Sequence, residues 1–134
     1  MSKAEIKTDK LRAPFGHFSQ ATVVEARGKM VFISGMTSRH PDGHIEGVGD
    51  IEAQTRQVCE NLKNAVESAG GTLADICRVD VYVRNIEYFD QIHKVRREYF
   101  KEPLPASTMV EVTKMVFPEY LIEINAIAVV QDKE

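Results

Sequence analysis

Leu121-Ile122-Glu123-Ile124-Asn125-Ala126-Ile127-Ala128-Val129-Val130 is the stretch that decides the fold. Successive side chains of a strand face opposite ways. An extended chain here puts Ile122, Ile124, Ala126, Ala128 and Val130 on one apolar side, and Leu121, Glu123, Asn125, Ile127 and Val129 on the other. A carboxylate therefore interrupts an apolar strand, and that is costly unless it is paired, solvated or protonated. The ordinary reading of Glu123 is a solvated strand end or a lysine partner; the other is a general base at the rim of a pocket. The pattern alone leaves both open. Just upstream, 106–112 reads as a second β-segment, with Ser107 and Met109 on one face and Thr108 and Val110 on the other.

Working outward, Ile76-Cys77-Arg78-Val79-Asp80-Val81-Tyr82-Val83 alternates as a half-buried strand does, with Val79, Val81 and Val83 inward. Met30-Val31-Phe32-Ile33-Ser34 is a short apolar run expected to be a buried strand, ending at Gly35. Between these, 50–69 carries Ile51, Thr55, Val58, Leu62 and Val66 at helical spacing, with Asp50 as N-cap and Gly70-Gly71 as the stop. A second helix is expected from Asn85 or Glu87 to about Phe100, with Phe89, Ile92, Val95 and Tyr99 toward the core. His93 lies beside that stripe, and Arg96 and Arg97 are expected to be solvated. The fold class is α+β: a two-layer sandwich with two helices on one face of a mostly antiparallel sheet. The chain of 134 residues makes one domain, 1–134, with 1–12 expected to be flexible. Its open face or edges need a cover, and self-association supplies one.

A net charge of −3 and a sequence pI near 5.8 argue against a basic nucleic-acid face. No run suits a membrane span or a signal peptide, and Cys59 and Cys77 stand apart, so a cytoplasmic location with reduced thiols is expected. Nucleotide, zinc-protease and nucleophile-elbow motifs are missing, and no cofactor is expected. His40 and His44 would share a helix face, but Pro41-Asp42-Gly43 breaks that helix, so no metal is expected either.

Gly16-His17-Phe18-Ser19-Gln20, Val31-Phe32-Ile33-Ser34-Gly35, Ala53-Gln54-Thr55-Arg56-Gln57, Glu60-Asn61-Leu62, Pro105-Ala106 and Ile122-Glu123-Ile124, in this order, resemble the reactive-intermediate deaminase (Rid, YjgF-type) family. The resemblance runs from about residue 14 to 130. It implies a chorismate-mutase-like fold, a homotrimer with an active site in each cleft between subunits, and cofactor-free hydrolysis of small-molecule enamines and imines such as 2-aminoacrylate. Residue by residue, it assigns substrate contacts to Phe18, where the family has tyrosine, to Ser34 with Gly35, and to His93, where it has asparagine. It assigns them also to Ser107, in place of the carboxylate-binding arginine, and to Met109, in place of cysteine. The water-positioning glutamate falls on Glu123; it and Ser34 match the family.

Losing the arginine removes a charged hydrogen bond of roughly 1.5–3 kcal/mol, or about one to two decades of affinity. His93, the Ser107 and Thr108 hydroxyls and backbone N–H groups are the candidate substitutes. The loop Ser34-Gly35-Met36-Thr37-Ser38-Arg39-His40-Pro41-Asp42 resembles that of 2-aminomuconate deaminases; its Arg39 reads either as a solvated loop arginine or as a displaced cation of the site. The expected function is hydrolytic deamination of an enamine or imine acid larger than 2-aminoacrylate, of the aminomuconate type, with Glu123 as base. The alternative is a non-catalytic paralogue that binds a metabolite or partner in the same cleft. Ribonuclease activity, sometimes ascribed to the family, draws no support from the charge or from a paired acid–base motif.

Overall fold

Strand 106–111 does not lie beside strand 122–130. The computed structural model describes residues 3–132, and in it β5 (Ala106–Glu111) runs parallel to β4 (Ile76–Val83) at the sheet edge. β4 in turn separates β5 from β6 (Ile122–Val130), and β3 (Lys29–Met36) closes the other side, giving the order β3-β6-β4-β5. The β3–β6 and β6–β4 pairs are antiparallel, so the sheet is mixed. β6 is central because its inward residues have no polar atom to solvate: Ile122, Ile124, Ala126 and Ala128 are all buried.

Both helices pack on that buried face, as an α+β sandwich requires. α1 (Ile51–Ser68) starts at Asp50, whose carboxylate accepts from the Ala53 N–H at 3.1 Å, and it buries Val58, Leu62 and Val66 against the sheet. Gln54, also buried, reaches from α1 to the loop before β6: its Nε2 donates to Glu119 O (2.8 Å) and its Oε1 accepts from Leu121 N–H (2.9 Å). α2 (Phe89–Tyr99) follows a short 3₁₀ turn capped by the Asn85 side chain.

Two expectations change. The segment over 1–12 expected to be flexible is built into the fold: β1 (Ala4–Ile6) pairs with β2 (Ala21–Val23), and the buried Lys3 ammonium donates to Ile76 O at 2.9 Å. Residues 1 and 2 lie outside the described residues. β3 is buried on one side only: Ile33 faces the core, whereas Met30 and Phe32 are 54% and 71% exposed on the face without helices. The apolar run therefore reflects two faces with different covers, not a strand buried on both.

Candidate active site

Two cavities collect the residues singled out from the sequence, and they lie on opposite faces of the sheet. Strand register forces the separation. Tyr82 pairs with Glu123 and Asp80 with Asn125, while Val79 pairs with Ser107 and Val81 with Met109. Val79 and Val81 are buried under the helices, so Ser107 and Met109 face the helix layer and Glu123 faces away from it. Within one chain Glu123 does not meet His93 and Ser107.

The open-face cavity, about 640 Å³, is lined by Gly35, Tyr82, Lys114, Met115, Glu123 and Asn125 among others. A bulge sets its geometry: Ile33 pairs with Ala126 but Met36 with Ile124, one extra residue on β3. The bulge carries Gly35 against the Glu123 side chain, so closely that a Cβ there would lie 2.8 Å from Cδ of Glu123. Glycine is needed here for close approach, not for a left-handed φ. Glu123 makes no ion pair or side-chain hydrogen bond among the described residues, although Lys114 lines the same cavity. Ser34 is exposed on β3 and lines neither cavity.

The helix-side cavity, about 270 Å³, is lined by Phe18, Phe89, His93, Arg96, Ser107 and Met109, with Phe15 and Ile86. Its aromatic wall is continuous: Phe15 stacks on Phe89 (5.6 Å) and meets Phe18 edge-on (5.4 Å), and Phe89 meets His93 at 4.2 Å. His93, beside the core stripe of α2, is 2% exposed. Its Nδ1 accepts the His17 N–H at 3.2 Å, so the ring proton sits on Nε2. Burial, then the nearby Arg96, Arg97 and His17, pull its pKa down to about 3. The imidazole is a neutral donor at physiological pH, with Nε2 buried and without a partner.

Arg96 is the residue that sequence reasoning missed. Expected to be solvated, it is 1% exposed, and all three of its guanidinium nitrogens are buried without a hydrogen-bond partner. Burial pulls its pKa down to about 10, which leaves it charged at neutral pH. The signal was present in the spacing. Phe89, His93 and Arg96 fall at i, i+4 and i+7, one stripe of α2 that points on to Phe100 at its C-cap, beside the Ile92–Val95 stripe that is buried.

Arg39 lines neither cavity. Its Nε donates to the Tyr120 hydroxyl at 2.7 Å, and its guanidinium lies over the rings of Phe117 (4.7 Å) and Tyr120 (5.3 Å). Within the chain it braces the loop before β6. The Pro41-Asp42-Gly43 turn does exclude a helix, yet it brings His40 and His44 together by folding the loop back on itself: their rings stack at 4.0 Å.

The model of the family described as Endoribonuclease L-PSP matches residues 8–130. A RutC family protein of Pyrococcus abyssi is 38% identical over 128 residues, which is 96% of this chain and 98% of that protein. A 2-iminobutanoate/2-iminopropanoate deaminase of Dermatophagoides farinae is 30% identical, and the 3-aminoacrylate deaminase RutC of Acinetobacter baylyi is 33% identical. Each alignment spans 96% of this chain and 98% of the relative. Among solved structures, a Rid-family protein of Yersinia pestis superposes with a TM-score of 0.88 at 32% identity, over 97% of this chain and 100% of that one.

Proposed function

The chain belongs to the Rid (YjgF-type) family, and from that membership we propose that it is a hydrolytic deaminase of small enamine or imine acids, with each active site completed between two copies of the chain. The observation that carries the proposal is the split itself. Apart from Ser34, the residues that the family resemblance assigns to one site line two cavities on opposite faces of this sheet: Glu123 with Gly35, and Phe18, His93, Ser107 and Met109. A second copy bringing its helix-side cavity against the open face reunites them. The exposed Met30 and Phe32 supply the apolar surface for such a contact, and a trimer is the arrangement the family resemblance implies.

The chemistry follows from the groups present. An enamine acid tautomerises to its imine. Water adds to the C=N carbon while Glu123 takes a proton from it and passes it to the nitrogen, giving a carbinolamine. Glu123 then carries the carbinolamine hydroxyl proton to the nitrogen as well, the C–N bond breaks, and ammonia leaves as the carbonyl forms. The net reaction is imine plus water to keto acid plus ammonia, without redox change or cofactor. The lack of a charged partner leaves the Glu123 carboxylate free to take a proton from water. The names of the deaminase relatives point to acids of three and four carbons. We take 2-iminobutanoate as the first substrate to test and 2-aminomuconate as the larger candidate.

Ammonia release from imines generated in situ is the direct test. The wild-type chain is expected to accelerate it, and Glu123→Gln, which keeps shape but removes basicity, is expected to lose about 10²–10⁴-fold. Full activity in the Gln variant strikes Glu123 from the mechanism. No release from any imine, with keto acids still bound, returns the non-catalytic alternative. The ribonuclease implied by the family model's description would need a surface for a polyanion, which a chain of net charge −3 does not offer in bulk.

A further inference from the structure

We propose that Arg96 is the anion anchor of the helix-side cavity, where its guanidinium, the His93 Nε2–H and the Ser107 hydroxyl receive the carboxylate of a small acid with an apolar body. The proposal takes only the identity of the acid from the deaminase reading; the anchor stands on the cavity. A buried guanidinium is retained where an acceptor satisfies it, and here all three nitrogens are without one. No Asp or Glu lines the cavity. The Cys59 thiol on α1, the one neighbour that favours the charge on Arg96, is itself pushed up to about 12 by burial and stays protonated, so it is no counter-ion. The His93 donor is unpaired for the same reason.

The rest of the lining describes the ligand. Phe15, Phe18, Phe89 and Met109 are walls for hydrocarbon, and the polar groups at the cavity are donors, so the occupant has an anionic head and an apolar body. A volume of about 270 Å³ accommodates a four-carbon acid. Because the guanidinium is buried, an anion can reach it only if the aromatic wall moves, and its outer ring, Phe15, is 73% exposed. Arg96 enters the cavity from α2, whereas the arginine of the family resemblance falls on Ser107 of β5. The cation has moved to a different element that faces the same space.

The test is calorimetric titration of the full chain with 2-oxobutanoate, a keto acid that does not turn over, and with 2-butanone and inorganic phosphate as controls. Arg96→Met is expected to weaken 2-oxobutanoate about 10–100-fold and Arg96→Lys to recover part of the loss, with 2-butanone indifferent to both. Arg96→Met is also expected to melt at a higher temperature without ligand, since methionine replaces an uncompensated buried charge. If that variant does not fold, the wild-type ratio decides: less than tenfold preference for 2-oxobutanoate over 2-butanone overturns the anchor. Phosphate binding as tightly as the keto acid overturns the carboxylate assignment. Equal affinity in wild type and Arg96→Met overturns the proposal while ammonia release leaves the deaminase reading intact. Arg96-dependent binding without ammonia release does the reverse.

A separate observation carries a second site. We infer that His40, His44 and Glu46 bind one divalent transition-metal ion such as zinc on the 38–46 loop. The three offer ligand atoms all within 4.8 Å of one another, and the His40 Nε2 is buried without a partner. His44 Nδ1 lies 2.5 Å from Asp42 Oδ1, and donating its proton there leaves the Nε2 lone pair free; the two stacked rings must turn for both histidines to point at one ion. Two imidazoles and a carboxylate suit zinc over magnesium or calcium. Titration of the full chain with zinc alone should show one ion per chain, weakened at least tenfold by His40→Ala or His44→Ala, and about 10–100-fold by Asp42→Asn, which touches no metal. Unchanged affinity in both histidine variants overturns the site, and so does unchanged affinity in Asp42→Asn for the orienting role.

Discussion

The Glu123 carboxylate rests against the Cα of Gly35, in a space where a methyl group would collide with it. The contact exists because the β3 bulge adds one residue opposite Glu123's strand. Gly35→Ala must push the carboxylate aside or flatten the bulge. A misplacement near 1 Å costs about 10²-fold in rate, so we expect ammonia release to fall by that order with folding and assembly retained. Undiminished turnover in Gly35→Ala would show that the carboxylate's position is not critical.

The open face should be an interface. Wild type is expected to run as a trimer by light scattering at micromolar concentration. Phe32→Glu, at an exposed apolar position of that face, should give monomers without deaminase activity, because the half-sites are then never joined. A trimeric, active Phe32→Glu protein would place the interface elsewhere.

His93 should leave a mark on stability at low pH. In the folded chain it stays neutral down to about 3, whereas in the unfolded chain it titrates near 6.5. Between those values the unfolded chain binds the extra proton. The neutral histidine therefore contributes stability that is full above 6.5 and lost as pH falls toward 3, by up to about 1.4 kcal/mol per unit. Urea denaturation of His93→Asn should show a shallower decline over that window than wild type. Parallel declines would mean that the folded-state histidine is not held neutral.

Restoring the family arginine should fail on its own. Ser107→Arg would place a second guanidinium in the cavity that Arg96 already faces, and two unpaired cations repel strongly at low dielectric. We expect Ser107→Arg to lower the melting temperature and give no gain on 2-aminoacrylate. The double variant Ser107→Arg/Arg96→Met should recover the melting temperature and gain activity of about one to two decades. A gain in the single variant would mean that Arg96 does not share the substrate space.

Much of the fold was legible because it depends on local periodicity. The alternation of 76–83 and 122–130, the helical stripe of 51–66 and the Asp50 cap each name an element from its own residues, and each element is there. Which face of a strand a residue takes was legible too, so Ser107 with Met109 on one side and Glu123 among the polar interruptions of β6 could be read directly. The order of strands was not. That β4 lies between β5 and β6 depends on a crossover through residues 112–121, and no local pattern encodes it. It is this order and register that put Glu123 and Ser107 on opposite sides of one sheet. Arg96 was hidden for a related reason. A charged residue on a helix reads as solvated unless its neighbours in space are known, and those neighbours, Phe18 from the N-terminal loop and Met109 from β5, come from distant parts of the chain. Periodicity assigns a side chain to a face; only tertiary packing decides whether that face meets water, a core or a cavity.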